Sequence, residues 1–457
     1  MTYNKLIQKF IVVLILSMSS VASAQKSSPN FLFILVDDLG YMDVGFNNPD
    51  TFYETKNIDG LAKGGMNLSN GYAASPVCSP TRSSILTGKY PARTGNTAYF
   101  GAPQPNELKR VKNKPYLPAP YIDKMELEEV TVAEALKEGG YKTFFAGKWH
   151  LGDKGNWPED QGFEINKGGW TKGGPYGGKK YFSPYGNPSL SDGPDGEHLP
   201  DRLASETINF IQQNKDKPFF AYMSFYSVHT PLIGRPDLVE KYKEKREKLN
   251  IKNEWGKEGE NKVRQVQEHA VYAAMVEAMD LAVGRVLNEL KRLNLDENTV
   301  VIFMSDNGGL STSEGHPTSN LPLRGGKGWM YEGGIREPLI ISWPTQIEPG
   351  INDTPVISTD FYPTILELAG LNFMPNQHKD GLSLAKLLLK NKDLNREEIY
   401  FHYPHYGNQG GIPSSAIRFG DYKLIKPLTG EPMEMYNLKE DVSESNDLME
   451  SEKVLAK

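Results

Sequence analysis

Two pairs of neighbouring oxygen-bearing side chains, Asp37-Asp38 and Asp306-Asn307, each stand just past an apolar run of the chain. Carboxylates gathered without a counter-charge repel one another, and a bound Ca2+ or Mg2+ resolves that repulsion with hard oxygen ligands. Taken singly, each pair also suits an ordinary turn, because Asp and Asn readily bond their own backbone. The only cysteine is Cys78, in Ser75-Pro76-Val77-Cys78-Ser79-Pro80-Thr81-Arg82. Arg82 would lower the pKa of a thiol beside it. A soft sulfur is nevertheless a poor ligand for the hard cation that the oxygen pairs ask for. That mismatch vanishes if the thiol becomes an aldehyde, whose hydrate offers oxygen.

Such groups act together only if the fold brings them to one place, and the apolar runs suggest how. Phe31–Val36 ends at Asp37, Thr299–Met304 leads to Asp306, Lys142–Ala146 runs into Lys148 and His150, and Phe219–Phe225 leads to His229. Runs without polar alternation suit strands of a parallel sheet buried on both faces. In open α/β sheets, ligands bind at the carboxyl ends of such strands. Helices are expected over Val130–Glu138, with Thr131 as N-cap, over Val263–Leu293 at helical spacing, and over Thr359–Leu368. The expected fold class is α/β, a large mostly parallel sheet sandwiched by helices. From about Asn391 the pattern changes to short strand-like pieces, read as a small C-terminal α+β subdomain. The division is then a catalytic unit over 27–390 and a small unit over 391–457. The Gly-, Pro- and Tyr-rich stretch 168–196 reads as a long loop, either functional or disordered. The Lys- and Glu-rich stretch 240–262 reads as a solvated helix or insertion.

Composition narrows the function classes. With 51 Lys and Arg against 57 Asp and Glu, the net charge of -6 argues against a nucleic-acid binder. The N-terminus carries Lys5 and Lys9, an apolar stretch and Val21-Ala22-Ser23-Ala24, the layout of a signal peptide over 1–24. The expected address is the periplasm, with secretion as the alternative, and no integral membrane segment is expected after cleavage. A lone cysteine in an exported chain has no internal partner for a disulfide and is worth attention as a reactive group.

Cys78-x-Pro80-x-Arg82 followed by Leu86-Thr87-Gly88 resembles the signature of the formylglycine-dependent sulfatases. The resemblance continues, in the family's order, through Asp37-Asp38-x-Gly40, Gly147-Lys148-Trp149-His150, Ser227-x-His229-x-Pro231, Ser305-Asp306-Asn307-Gly308, Lys327-Gly328 and Glu332-Gly333-Gly334-x-Arg336-x-Pro338. Thr81 stands where serine is common, and Lys89 where arginine often follows. The resemblance implies an alkaline-phosphatase-like fold and a maturation enzyme that oxidises Cys78 to formylglycine. It also implies a Ca2+ ion, with Mg2+ less favoured, held by Asp37, Asp38, Asp306, Asn307 and the modified Cys78. Arg82 would steady the aldehyde hydrate, Lys148 and Lys327 would face the sulfate oxygens, and His150 and His229 would move protons. Its substrate would be a sulfated carbohydrate, such as ulvan, carrageenan or a glycosaminoglycan. Rival readings are a phosphonate or phosphodiester hydrolase, an inactive sulfated-glycan-binding relative, and a hydrolase using an ordinary thiol. His402, His405 and the Trp170 loop are candidates for lining a sugar pocket; His198, His269, His316 and His378 are expected to be structural.

Overall fold

The computed structural model describes residues 28–109, 114–452 and 454–455. The expected signal peptide lies outside the described residues. Eight strands form the main sheet: β1 (Asn30–Val36), β2 (Met66–Leu68), β3 (Lys142–Gly147), β4 (Ile165–Lys167), β5 (Phe219–Ser224), β6 (Thr299–Ser305), β7 (Leu339–Ser342) and β8 (Gly350–Asn352). Their order is β8-β2-β7-β6-β1-β5-β3-β4. All pairings are parallel except those of β7, which runs against both β2 and β6.

Helices cover both faces: α1 (Lys56–Lys63), α2 (Cys78–Thr87), α3 (Val132–Glu138), α4 (Leu199–Asn214), α5 (Pro236–Lys248), α6 (Ala270–Arg292) and α7 (Phe361–Ala369). The central strand explains why two layers are needed. Phe31, Phe33 and Leu35 of β1 enter one core with Ile85, Leu136 and Ile365. Leu32, Ile34 and Val36 enter the other with Leu203, Met275 and Val283. Each such side chain, fully buried, contributes roughly 1.5–3 kcal/mol. Thr131 caps α3 as its sequence predicts: its hydroxyl accepts from Glu134 N–H (3.2 Å), and Glu134 Oε2 accepts from Thr131 N–H (2.7 Å).

Two expectations shift. The helix expected from Val263 begins at Ala270, because Trp255–Glu258 and Asn261–Arg264 pair as an antiparallel hairpin. Lys262 and Arg264 lie 3.7 Å and 4.6 Å from the Trp255 ring, and Arg264 N–H donates to Ser311 O (3.0 Å); these contacts override the helical spacing. Part of the stretch 240–262 is thus α5 and part hairpin. Among the described residues, no helix is long and apolar enough to cross a membrane.

The small C-terminal sheet is antiparallel and sequential: β9 (Glu398–Tyr403), β10 (Ser414–Phe419), β11 (Tyr422–Pro427) and β12 (Glu434–Asn437). Ile399, Phe401 and Ile425 pack against Tyr72, Val77 and Ile335. A buried ion network reinforces this joint. Lys423 Nζ lies 2.9 Å from Glu332 Oε1 and 2.8 Å from Glu444 Oε1, all fully buried. Removing one partner of a buried pair costs about 3–5 kcal/mol, since the remaining charge stays desolvated. Lys423→Met is therefore expected to lower stability by about that amount, measured by urea denaturation; an unchanged midpoint would mean that the network contributes nothing.

Candidate active site

β6, β1, β5 and β3 lie side by side and parallel, so their carboxyl ends open on one edge. β1 delivers Asp37 and Asp38, β6 Asp306 and Asn307, β3 Lys148 and His150, and β5 His229. Backbone bonds fix these departures: Asp37 N–H donates to Ser227 O (2.9 Å), Asp306 N–H to Val36 O (3.0 Å) and Lys148 N–H to Ser224 O (2.8 Å). Asp38 has a φ of 61°, a left-handed conformation that Asp tolerates better than most residues. Gly147 has a φ of 106°, and a Cβ there would stand 1.7 Å from Ser224 O, so glycine alone lets the end of β3 press against β5.

Cys78 reaches the same edge as the first residue of α2 and is buried. Its Sγ lies 3.6 Å from Asp37 Oδ1. One ligand atom from each of Asp37, Asp38, Cys78 and Asp306 falls within 4.8 Å of the others. Asn307 Nδ2 donates to Asp38 Oδ1 (2.8 Å), while its Oδ1 is buried without a hydrogen-bond partner. An orphaned buried acceptor costs about 1–3 kcal/mol. Three carboxylates and this amide oxygen are the donor set a hard divalent cation takes; the residues fit the expected ion.

Three cations answer the three carboxylates. Lys148 Nζ is 2.6 Å from Asp37 Oδ2, Lys327 Nζ is 2.6 Å from Asp38 Oδ1, and Arg82 Nη2 is 2.7 Å from Asp306 Oδ2. Arg82 Nη1 also donates to Lys148 O (2.9 Å) and Ser224 Oγ (2.7 Å). The resemblance implies Arg82 on a hydrate and Lys148 on an anion; here each pairs with a carboxylate, and neither borders the cavity. Lys327 alone of the three borders the cavity in front of them.

Both imidazoles are buried. His150 Nε2 donates to Phe100 O (2.9 Å), and its Nδ1 accepts from Ser79 Oγ (3.3 Å). Burial, with Lys148 adding to it, holds its pKa well below the usual histidine range. His229 Nδ1 donates to Thr230 O (2.7 Å), which leaves Nε2 3.9 Å from Asp38 Oδ2. Burial and the nearby Lys327 push His229 down to about 3, against the pull of Asp38. Burial pushes the Cys78 thiol up to about 12, with Lys148 and Lys327 opposing.

The cavity has a volume of about 430 Å³ and is bordered by Cys78, His150, His229 and Lys327. Its outer wall matches the expected one only in part. His402 Nδ1 is bonded to Ser415 Oγ (2.8 Å) and His405 Nε2 to Thr97 Oγ1 (2.9 Å), and neither borders the cavity. Nor does Trp170, although Thr171, Lys172 and Tyr176 of its loop do. Tyr99, Glu314, Asn408 and Gln409 border it too. Only the Gly407-Asn408-Gln409-Gly410-Gly411 turn offered a sequence signal; Glu314 offered none. Of the four histidines expected to be structural, His269 Nδ1 accepts from Tyr272 N–H (3.2 Å) at the start of α6, and His378 Nε2 accepts from Met374 N–H (3.0 Å).

An open α/β sheet whose strand ends hold three carboxylates paired with three cations beneath a cavity suits the binding of an anionic group. The Sulfatase family profile matches residues 29–371, and a profile described as N-sulphoglucosamine sulphohydrolase, C-terminal, matches 326–456. A sulfatase of Formosa agariphila is 32% identical over 95% of this chain and 87% of its own. Human arylsulfatase A is 32% identical over 86% of this chain and 74% of its own. The crystal structure of Ps i-CgsB, also solved in complex with k-i-k-neocarrahexaose, superposes with a TM-score of 0.76 at 31% identity, covering 94% of this chain and 90% of that one. The chain belongs to the sulfatase family and is a sulfuric ester hydrolase.

Proposed function

We propose that the chain is exported and removes sulfate from a sulfated carbohydrate, with Cys78 oxidised to formylglycine by a maturation enzyme and Ca2+ held at the β1–β6 edge. The observation that carries this reading is the convergence of Cys78, Asp37, Asp38 and Asp306 within 4.8 Å, beside the unpartnered Asn307 oxygen. An unmodified thiol suits the site poorly, being buried and pushed up to about 12, so little thiolate exists at neutral pH. Similarity to Ps i-CgsB, crystallised with a carrahexaose, favours a sugar over other alcohols. Ulvan, carrageenan and glycosaminoglycan fragments are the substrates to test.

Ca2+ would stabilise negative charge and acidify an adjacent oxygen, and the formylglycine hydrate would supply that oxygen and a second hydroxyl for sulfate release. The protein's own groups do the rest. Because three cations already balance three carboxylates, a divalent ion leaves the pocket positive toward an anionic ester. Lys327, on the cavity wall, seats a sulfate oxygen; Lys148 and Arg82 hold Asp37 and Asp306 in place. His229 Nε2 protonates the departing sugar oxygen, with Lys327 assisting. Its low pKa needs the bound anion to raise it, since negative charge nearby favours the imidazolium. His150 is neutral, with its Nε2–H held by Phe100 O, so Nδ1 is its basic nitrogen; it takes there the proton that lets sulfate leave, in exchange for the hydrogen bond from Ser79 Oγ.

The test is peptide mass spectrometry across Cys78 after expression with a formylglycine-generating enzyme, joined to sulfate release from defined oligosaccharides. The expected result is a converted residue 78 and release from at least one sugar sulfate. Faster turnover of an aryl phosphodiester than of an aryl sulfate would favour the phosphodiesterase rival. Glycan binding without sulfate release would favour an inactive relative.

A further inference from the structure

Among the described residues, Glu314 is the one carboxylate on the cavity wall outside the metal cluster, in a pocket that Lys172 and Lys327 also border. An anion there is costly for an enzyme whose substrate is itself anionic, because like charges a few ångströms apart repel strongly away from bulk water. The residue is nonetheless held in position. Asn408 Nδ2 and Gln409 Nε2 both donate to its Oε1, at 2.9 Å and 2.7 Å. Gln409 is buried at 4% exposure, and its carbonyl accepts from Thr312 Oγ1 (2.8 Å) and Trp329 Nε1 (3.0 Å). Glu314 has a left-handed φ of 51°, a conformation that costs a non-glycine residue energy and persists where its surroundings enforce it. No lysine or arginine pairs with it among the described residues, and its Oε2 has a single contact, Thr230 Oγ1 at 3.5 Å.

A carboxylate oxygen fixed by two amides, with its second oxygen nearly free, is a hydrogen-bond acceptor aimed at something that donates. On a sulfated sugar the donors are the remaining hydroxyls. A carboxylate accepts from a hydroxyl strongly; facing a second sulfate it finds no proton and a like charge. A site built around a hydroxyl rejects the analogue that lacks it, because its own polar group is left unpaired.

We propose that Glu314, braced by Asn408 and Gln409, is a specificity-determining residue that accepts a hydrogen bond from a free hydroxyl of the sugar carrying the scissile sulfate and discriminates against sugars sulfated at that second position as well. This rests on the sugar-sulfate reading above, so the experiment separates the two. Binding is measured by titration calorimetry on Cys78→Ala protein, which needs no maturation and leaves the cationic groups in place. The probes are monosulfated galactose, N-acetylgalactosamine, glucosamine and rhamnose, each with its vicinally disulfated counterpart. In the Glu314-containing protein at least one monosulfated sugar is expected to bind ~10-fold or more tighter than its disulfated partner. Adding Glu314→Gln, which keeps shape and removes charge, should bring that ratio to within about twofold, with unfolding midpoints checked for both proteins. A ratio unchanged by Glu314→Gln, or no preference to begin with, overturns this proposal and leaves the sugar-sulfate reading standing. Failure of every sulfated sugar to bind overturns both.

Discussion

Cys78→Ala is expected to reduce sulfate release by at least ~10³-fold while the protein stays folded. In the proposed mechanism this side chain becomes the nucleophilic oxygen, and removal of a nucleophile leaves only what binding and charge stabilisation supply. The fold survives because the change is small: Cys78 opens α2, is 3% exposed, and loses one sulfur atom that makes a 3.6 Å contact with Asp37. Void formation at one atom costs on the order of 1 kcal/mol. Cys78→Ser is the sharper companion. It keeps an oxygen but has one hydroxyl, so it can accept sulfate without releasing it, and at most one equivalent of desulfated sugar per chain, with no free sulfate, is expected. Free sulfate measured by ion chromatography and desulfated sugar by mass spectrometry, with circular dichroism as the control for folding, decide both. Alanine protein active within tenfold of wild type would remove residue 78 from the chemistry.

Asp306→Ala should be the most damaging change to the cluster, for two separable reasons. Asp306 offers a carboxylate to the proposed cation, and it also holds Arg82, whose Nε and Nη2 both lie 2.7 Å from Oδ2. Arg82 is 2% exposed and Asp306 fully buried, so alanine strands a desolvated guanidinium at a cost of about 3–5 kcal/mol. Calcium affinity, turnover and the unfolding midpoint should all fall. Asp306→Asn separates the effects, since the amide oxygen still accepts from Arg82 while the negative charge is gone. Its stability loss should be smaller than that of alanine, with calcium affinity still reduced. Wild-type calcium affinity and turnover in Asp306→Ala would contradict the proposed metal centre.

Much of the architecture is local information. The run Phe31–Val36 declares a two-faced strand because each of its side chains is apolar and each meets a core. Thr131 and Glu134 declare a helix start because a capping box involves residues three apart. Where expectation and structure differ, distant contacts intervene. Val263 and Arg264 fall at the start of the expected helix, yet Trp255 and Ser311 draw them into a hairpin. His402 and His405 look like pocket residues by type and neighbourhood, but Ser415 and Thr97 each hold one of their ring nitrogens, and neither ring borders the cavity.

Taken alone, the sequence determined the kind of fold and the kinds of groups available, since hydrophobic periodicity, capping and motif spacing are properties of neighbours along the chain. It placed acids, a lysine and histidines after strands; the structure put Cys78 at a helix start. Only the tertiary structure decided which charge meets which: Lys148 with Asp37, Lys327 with Asp38, Arg82 with Asp306. It alone brought Glu314 against Asn408 and Gln409 at the cavity wall. Strand order and helix docking set those distances, and partners nearly a hundred to almost three hundred residues apart leave no mark on each other's local sequence.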